Sequence, residues 1–193
     1  VQDLVKVQPP VDLPRGEQAR LQALYEALKI ALKDYVTKNG FRQVVIGLSG
    51  GIDSALVTAI AVDALGAENV LTVMMPTQFT VDLSFDLAKL LVENLEVKYI
   101  VRPIGPLFEA YRQLLAEDFA GKSWDVTEEN LQARIRGTLL MAYANKFNRL
   151  VITTGNKSET AVGYSTLYGD TAGAFALIKD VYKTDVWALA RYL

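Results

Sequence analysis

Cysteine and histidine are both absent from the 193 residues. Without cysteine there is no disulfide, no thiolate metal ligand and no cysteine nucleophile. Without histidine the one side chain that ordinarily titrates near neutrality is gone. Proton transfer near pH 7 then falls to carboxylates, lysine, tyrosine or the substrate itself. An excess of one charge is missing too: 20 Lys and Arg face 22 Asp and Glu, a formal net charge of −2. That balance gives no electrostatic case for nucleic acid or an anionic membrane as the main partner. No apolar run is long enough to span a bilayer and no signal-peptide pattern is visible, so a cytoplasmic location is expected. Proline is scarce, and three of the six sit early, at Pro9, Pro10 and Pro14. With Gly16 and no hydrophobic period around them, they predict a linker or arm over residues 1–16.

What is present is apolar: 51% of the residues are hydrophobic, enough for a well-packed core in one domain over residues 17–193. Residues 17–38 carry Leu21, Leu24, Tyr25, Leu28, Leu32, Tyr35 and Val36 at helical spacing, stopped by Asn39-Gly40. Strands are expected at 44–46, 70–75, 97–101 and 150–153, with a short last one at 175–178. Helices are expected between them at 55–65, 81–95 and 107–119, and from Asp125 onward. The 81–95 helix is expected to bury Leu83, Leu87, Leu90, Leu91 and Leu95, and the 107–119 helix to pack through Phe108, Tyr111 and Leu115. Asp125 with Glu128 predicts a capping box, and Leu131, Ile135, Leu139 and Ala142 an inward face. Arg134 and Arg136, two apart, cannot share a face. One is a candidate anion ligand; the other is solvated or paired with Glu128 or Glu129. Alternating strands and helices predict a parallel sheet with right-handed crossovers. The chain begins at Val1 and stops at Leu193 inside a helical pattern of Val186, Leu189, Ala190 and Leu193. A domain cut from a longer protein is therefore expected.

Chemistry concentrates in two polar corners. The first follows the strand Val44-Val45-Ile46 as Ser49-Gly50-Gly51-Ile52-Asp53-Ser54. Strand, glycine turn and helix aim backbone N–H groups and a helix N-terminus at an anion. The paired glycines let the backbone approach a phosphate, the serines add hydroxyls, and Asp53 adds a carboxylate suited to Mg²⁺. The turn has no Walker lysine. It resembles the pyrophosphate loop of the ATP pyrophosphatases. The second corner is Thr153-Thr154-Gly155-Asn156-Lys157-Ser158-Glu159, at the end of the fourth strand. It is expected beside the first, because strands one and four flank the switch point of a doubly wound sheet. Residues 163–175, with Gly163, Gly169 and Gly173, suit either a mobile lid or a plain long loop.

Taken together, G-L-S-G-G-I-D-S-A-L-V at 47–57, E-N-L-Q-A-R-I-R-G at 129–137, T-T-G-N-K-S-E at 153–159, L-Y-G-D at 167–170 and K-D-V-Y-K-T-D-V at 179–186 resemble NAD⁺ synthetase. The likeness is greatest to the synthetase domain of the glutamine-dependent bacterial form. The resemblance implies an α/β, doubly wound parallel sheet flanked by helices, of the adenine nucleotide alpha hydrolase-like kind. It implies ATP-dependent amidation of deamido-NAD⁺ through an acyl-adenylate, releasing AMP and pyrophosphate, with nitrogen from ammonia or glutamine. ATP and Mg²⁺ are the implied cofactors and a homodimer or larger homo-oligomer the implied assembly.

By the same resemblance Gly47, Leu48, Ser49, Gly50, Gly51, Ile52, Asp53, Ser54 and Thr154 bind ATP, and Asp53 and Glu159 hold the metal. Asn130, Arg134 and Glu159 contact the dinucleotide, and Asp170 and Lys183 organise the reacting centre. Two positions depart from the pattern. Gln78 stands where many relatives carry arginine, and Leu167 where the ammonia-dependent enzymes carry lysine, which favours the glutamine-dependent branch. The amidase domain of that branch is not in this sequence. Two rival readings are another pyrophosphate-releasing C–N ligase, of the GMP or asparagine synthetase type, and an ATP-binding module without catalysis.

Overall fold

The structure, a computed structural model, describes residues 16–193. The expected arm lies, apart from Gly16, outside the described residues. Seven helices and five strands follow in the order α1 (Glu17–Lys38), β1 (Val44–Gly47), α2 (Ile52–Leu65), β2 (Val70–Met74), α3 (Asp82–Asn94), β3 (Lys98–Val101), α4 (Gly105–Leu114), α5 (Val126–Phe147), β4 (Leu150–Thr153), α6 (Lys157–Ala161), β5 (Phe175–Ala176) and α7 (Lys183–Tyr192). All pairings are parallel and the strand order is β3-β2-β1-β4-β5. The chain order reverses at β1, which pairs with β2 on one side and β4 on the other. This is the switch-point crevice expected of a doubly wound sheet.

The strands are short and rich in β-branched residues because both of their faces are covered. Alternate residues enter different cores. Val44, Ile46, Val70, Met74, Leu150 and Ile152 join the layer of α1, α2, α3 and α7, while Val45, Leu71, Val73 and Val151 join that of α4 and α5. Leu32, Ile46, Ile60, Ile152 and Leu189 are essentially sealed from solvent. Each such side chain contributes roughly 1.5–3 kcal/mol by leaving water. No described helix is long and apolar enough to cross a membrane.

Three expectations about packing are corrected. On α3, Leu83, Leu87 and Leu90 are 63%, 46% and 55% exposed, and Ala88 and Val92 are the buried residues. Leucines run around the whole helix; Phe85, Ala88, Val92 and Leu95 form a competing stripe, and that stripe meets the core. Helix α4 stops at Leu114 instead of 119, and within it Phe108 is the buried residue while Tyr111 is half in solvent. On α5, Ala144 is buried and Ala142 is exposed. The capping box of Asp125 and Glu128 is present, so Glu128 spends its carboxylate on the Asp125 N–H and pairs with neither arginine.

One core contact carries a pH dependence. The Tyr25 hydroxyl donates to Asp63 Oδ2 at 2.6 Å, tying α1 to α2. Burial, and then the hydrogen bond to Asp63, raise the phenol above its ordinary range. The folded state therefore keeps a proton that the unfolded chain loses above pH about 10, so this stability is complete below that pH and declines above it. Tyr25→Phe is expected to cost about 1 kcal/mol at neutral pH. It should also flatten the fall in stability above pH about 10, leaving the contribution of Tyr99, which burial also raises. Urea unfolding of both proteins across that range checks this.

Candidate active site

The first corner is built by ending β1 abruptly. Leu48 still donates to Val73 O at 3.0 Å, as a strand residue would, and α2 begins only four residues later. Between them Gly50 takes φ +81°, a left-handed conformation. A Cβ there would lie 2.4 Å from the Ser84 carbonyl oxygen at the start of α3. Only glycine fits on both counts. The serines hold the turn in shape. Ser49 N–H donates to Ser54 Oγ, Gly51 N–H donates to Ser49 Oγ, and Ser54 Oγ donates to Gly51 O, all within 3.2 Å. Ser54 is buried and works inside the loop. No side chain caps α2, whose first N–H groups lack intrahelical acceptors and form its positive end.

The second corner follows β4 and contains a cap that the motif reading passed over. Asn156 and Glu159 form a capping box at the start of α6: Asn156 Oδ1 accepts from Glu159 N, and Glu159 Oε2 accepts from Asn156 N, both at 3.0 Å. The N-x-x-E spacing was available as a signal. Helix α7 joins them, its Lys183 N–H donating to Ser158 Oγ at 3.0 Å.

These three segments meet on Asp53. Its Oδ1 accepts from Asn156 Nδ2 at 3.0 Å and its Oδ2 accepts from Lys183 Nζ. Asp53 and Lys183, predicted from separate motifs, thus pair directly, and Glu159 is joined to Asp53 through Asn156. Among the described residues no group of three acidic side chains could enclose a metal. One or two carboxylates suffice for Mg²⁺ when phosphates and waters supply the other ligands, and Asp53, which already holds a cation on Oδ2, fits that donor set.

Beside the cluster, at the carboxyl ends of β1, β2 and β4, lies a cavity of about 430 Å³. Its apolar lining includes Gly47, Leu48, Met75, Pro76, Val151 and Leu140. Its polar lining includes Ser49, Thr80, Thr154, Asp170 and Arg136. Thr154 and Asp170 are where the sequence predicted site residues. Arg136 is the pocket arginine that spacing alone left open. Its Nε donates to Met75 O at 3.0 Å, burial lowers its pKa, and among the described residues no carboxylate pairs with it.

Asn130 and Arg134 face the other way, onto the segment 163–173. Asn130 Oδ1 accepts from Thr166 Oγ1 at 2.7 Å, and Arg134 Nε donates to Leu167 O at 3.2 Å. Gly137 completes the seam, since a Cβ there would lie 2.8 Å from Gly169 O. The segment is latched to α5 at these three points. Asp170 within it accepts from Thr166 N through both oxygens, at 3.0 and 3.1 Å.

A family model described as NAD synthase matches residues 24–193. The chain belongs to the NAD synthase family. It is 56% identical over 173 residues to a glutamine-dependent NAD(+) synthetase from Thermotoga maritima, covering 90% of this chain and 30% of that protein. Among solved structures it resembles a glutamine-dependent NAD⁺ synthetase from Acinetobacter baumannii in complex with ADP, with TM-score 0.88 and 48% identity over 97% of this chain and 34% of that one. It also resembles an NH3-dependent NAD synthetase from Campylobacter jejuni, with TM-score 0.82 and 38% identity over 89% of this chain and 72% of that one. The chain therefore spans about a third of the length of the glutamine-dependent relatives.

The two loop glycines meet different structural demands in this NAD synthase family chain. Gly50→Ala is expected to destabilise by about 1–3 kcal/mol, from left-handed strain and the clash with Ser84. Gly51 has ordinary φ, and its Cβ would meet only Ser49 Oγ, at 3.2 Å. Gly51→Ala should stay within about 0.5 kcal/mol of the wild type yet, on the expectation that the loop binds ATP, weaken nucleotide binding by adding a methyl to it. Denaturant unfolding and calorimetric titration with ATP distinguish the two.

Proposed function

We propose that this chain is the synthetase part of an NAD⁺ synthetase of the glutamine-dependent type. In this reading it joins ammonia to the carboxylate of deamido-NAD⁺ and consumes ATP to AMP and pyrophosphate. The observation that carries the reading is the convergence of the Ser49–Ser54 loop, the Asn156–Glu159 cap and Lys183 on Asp53, beside an apolar cavity at the switch point. A planar base suits the cavity of Met75, Val151 and Leu140, and a triphosphate suits the uncapped start of α2.

A carboxylate is a poor electrophile and must be activated. In the proposed reaction an oxygen of the deamido-NAD⁺ carboxylate attacks the α-phosphorus of ATP, and the bond to the β-phosphate oxygen breaks. Charge grows on the departing pyrophosphate. The loop N–H groups and Lys183 oppose that charge, and more strongly as it concentrates than in bound ATP, which lowers the barrier. Mg²⁺ held by Asp53 and Glu159 would supply further charge neutralisation to the phosphates. Ammonia then attacks the acyl carbon, AMP leaves, and the nitrogen loses a proton. With no histidine in the chain, Asp170 is the carboxylate proposed to orient ammonium or take that proton. Asn130 and Arg134 are proposed to reach the dinucleotide through the 163–173 segment that they hold. Nitrogen would come from an amidase domain outside this chain, in a cytoplasmic homodimer or larger homo-oligomer.

Pyrophosphate release tests the reading. With ATP, Mg²⁺ and ammonium, deamido-NAD⁺ is expected to accelerate release, whereas xanthosine monophosphate or aspartate is not. Acceleration by one of the latter would instead favour a GMP or asparagine synthetase type, and nucleotide binding without release a non-catalytic module. Lys183→Ala should lower turnover by about 10²-fold, the scale of losing one charged transition-state contact. Asp170→Asn should remain slow at saturating ammonium; normal turnover there would remove Asp170 from the mechanism.

A further inference from the structure

Asn156 is completely buried, and its cap uses only part of it. The backbone N–H, the carbonyl and Oδ1 are all engaged within α6, with Glu159 and Thr160. Serine or aspartate would cap that helix equally well. The amide nitrogen is surplus to the cap, and it donates to Asp53 Oδ1, 103 residues away, at 3.0 Å. The terminal torsion of an aspartate is soft and two-fold, so an otherwise unrestrained carboxylate could turn either oxygen outward. Fixing Oδ1 leaves Oδ2 as the oxygen presented to a cation, and here that cation is the Lys183 ammonium.

We propose that Asn156 is a positioning residue for the nucleotide chemistry. Its amide locks the plane of the Asp53 carboxylate so that Oδ2 faces whatever cation occupies the loop, Lys183 in this structure and a divalent cation when nucleotide is bound. The inference rests on the reading of Asp53 as a cation-holding residue of an ATP site. It adds that the residue aiming Asp53 comes from the neighbouring strand's loop. The β4–α6 corner is then coupled to the first corner through one amide, and a shift of either corner would re-aim the carboxylate.

The test uses Asn156→Ser, which keeps a capping oxygen but loses the amide, and Asn156→Ala, which loses both. Affinity of the full chain for a non-hydrolysable ATP analogue is measured by calorimetry with Mg²⁺ and with EDTA. Asn156→Ser is expected to weaken the Mg²⁺-dependent affinity about 10-fold, the usual cost of removing an outer partner of a metal-holding group. Its affinity in EDTA should match the wild type. If Asn156→Ser binds normally in Mg²⁺ and only Asn156→Ala is impaired, the residue is a cap and the proposal fails. Equal weakening of Asn156→Ser in Mg²⁺ and EDTA also overturns it, as general distortion of the loop. If the wild type binds no nucleotide, the functional reading itself fails. The coupling remains readable then in a thermal-unfolding cycle of Asn156→Ser with Asp53→Asn, where additivity would refute the link.

Discussion

A carboxylate at the positive end of α2, gripped from two other segments, is the constraint on which the arrangement depends. Asp53 receives Asn156 from the loop after β4 and Lys183 from the start of α7, partners 103 and 130 residues distant in sequence. Neither contact is local, so both depend on the sheet bringing the three segments together. The ion pair is only partly desolvated, with side-chain exposures of 37% for Lys183 and 18% for Asp53. Its direct contribution to stability is accordingly small. Its consequence is geometric: three chain segments are registered to one carboxylate, and the Lys183 ammonium stands beside the positive end of α2.

The sheet makes that meeting possible. Because β1 lies between β2 and β4, the loops leaving β1 and β4 emerge side by side, and the end of β2 supplies Met75 and Pro76 to the same crevice. Layering separates two environments within it. Apolar side chains from the strand ends and α5 form most of the cavity wall, with Arg136 and Asp170 among its lining, while the Asp53, Glu159 and Lys183 charges sit beside it on α2, α6 and α7. A low-dielectric wall beside fixed charges strengthens their effect on a bound anion, and the charges do not have to be buried to exert it.

The strands and the two polar corners are legible in the sequence. The runs at 44–46, 70–75 and 150–153 form strands, the second ending at Met74, because residues buried on both faces must be largely apolar. The loop from Ser49 to Ser54 declared itself through its glycines, and Lys183 and Asp170 through family resemblance. Other features were hidden for physical reasons. The inward face of α3 was misread because two leucine-containing stripes compete, and only the neighbouring layer decides between them. Arg136 could not be separated from Arg134 by spacing; the contact with Met75 O, 61 residues away, makes the distinction. The cap of Asn156 is local and readable from the N-x-x-E spacing, whereas its link to Asp53, 103 residues away, is not.

The two arginines of α5 show how one helix can serve both halves of such a site. Arg136 points at the sheet and is anchored by the end of β2, so it reports on the cavity. Arg134 points at the 163–173 segment and is anchored by Leu167 O, so it reports on the rim that carries Asp170. Both guanidiniums use Nε on a backbone carbonyl, which fixes each plane while leaving the paired terminal nitrogens as a fork for an anion or carbonyl. Gly137, one position beyond Arg136, lets the rim approach α5 closely enough for this division, because any side chain there would strike Gly169 O. Close approach of the rim to α5 and separate duties for the two arginines are therefore one requirement on the sequence of that helix.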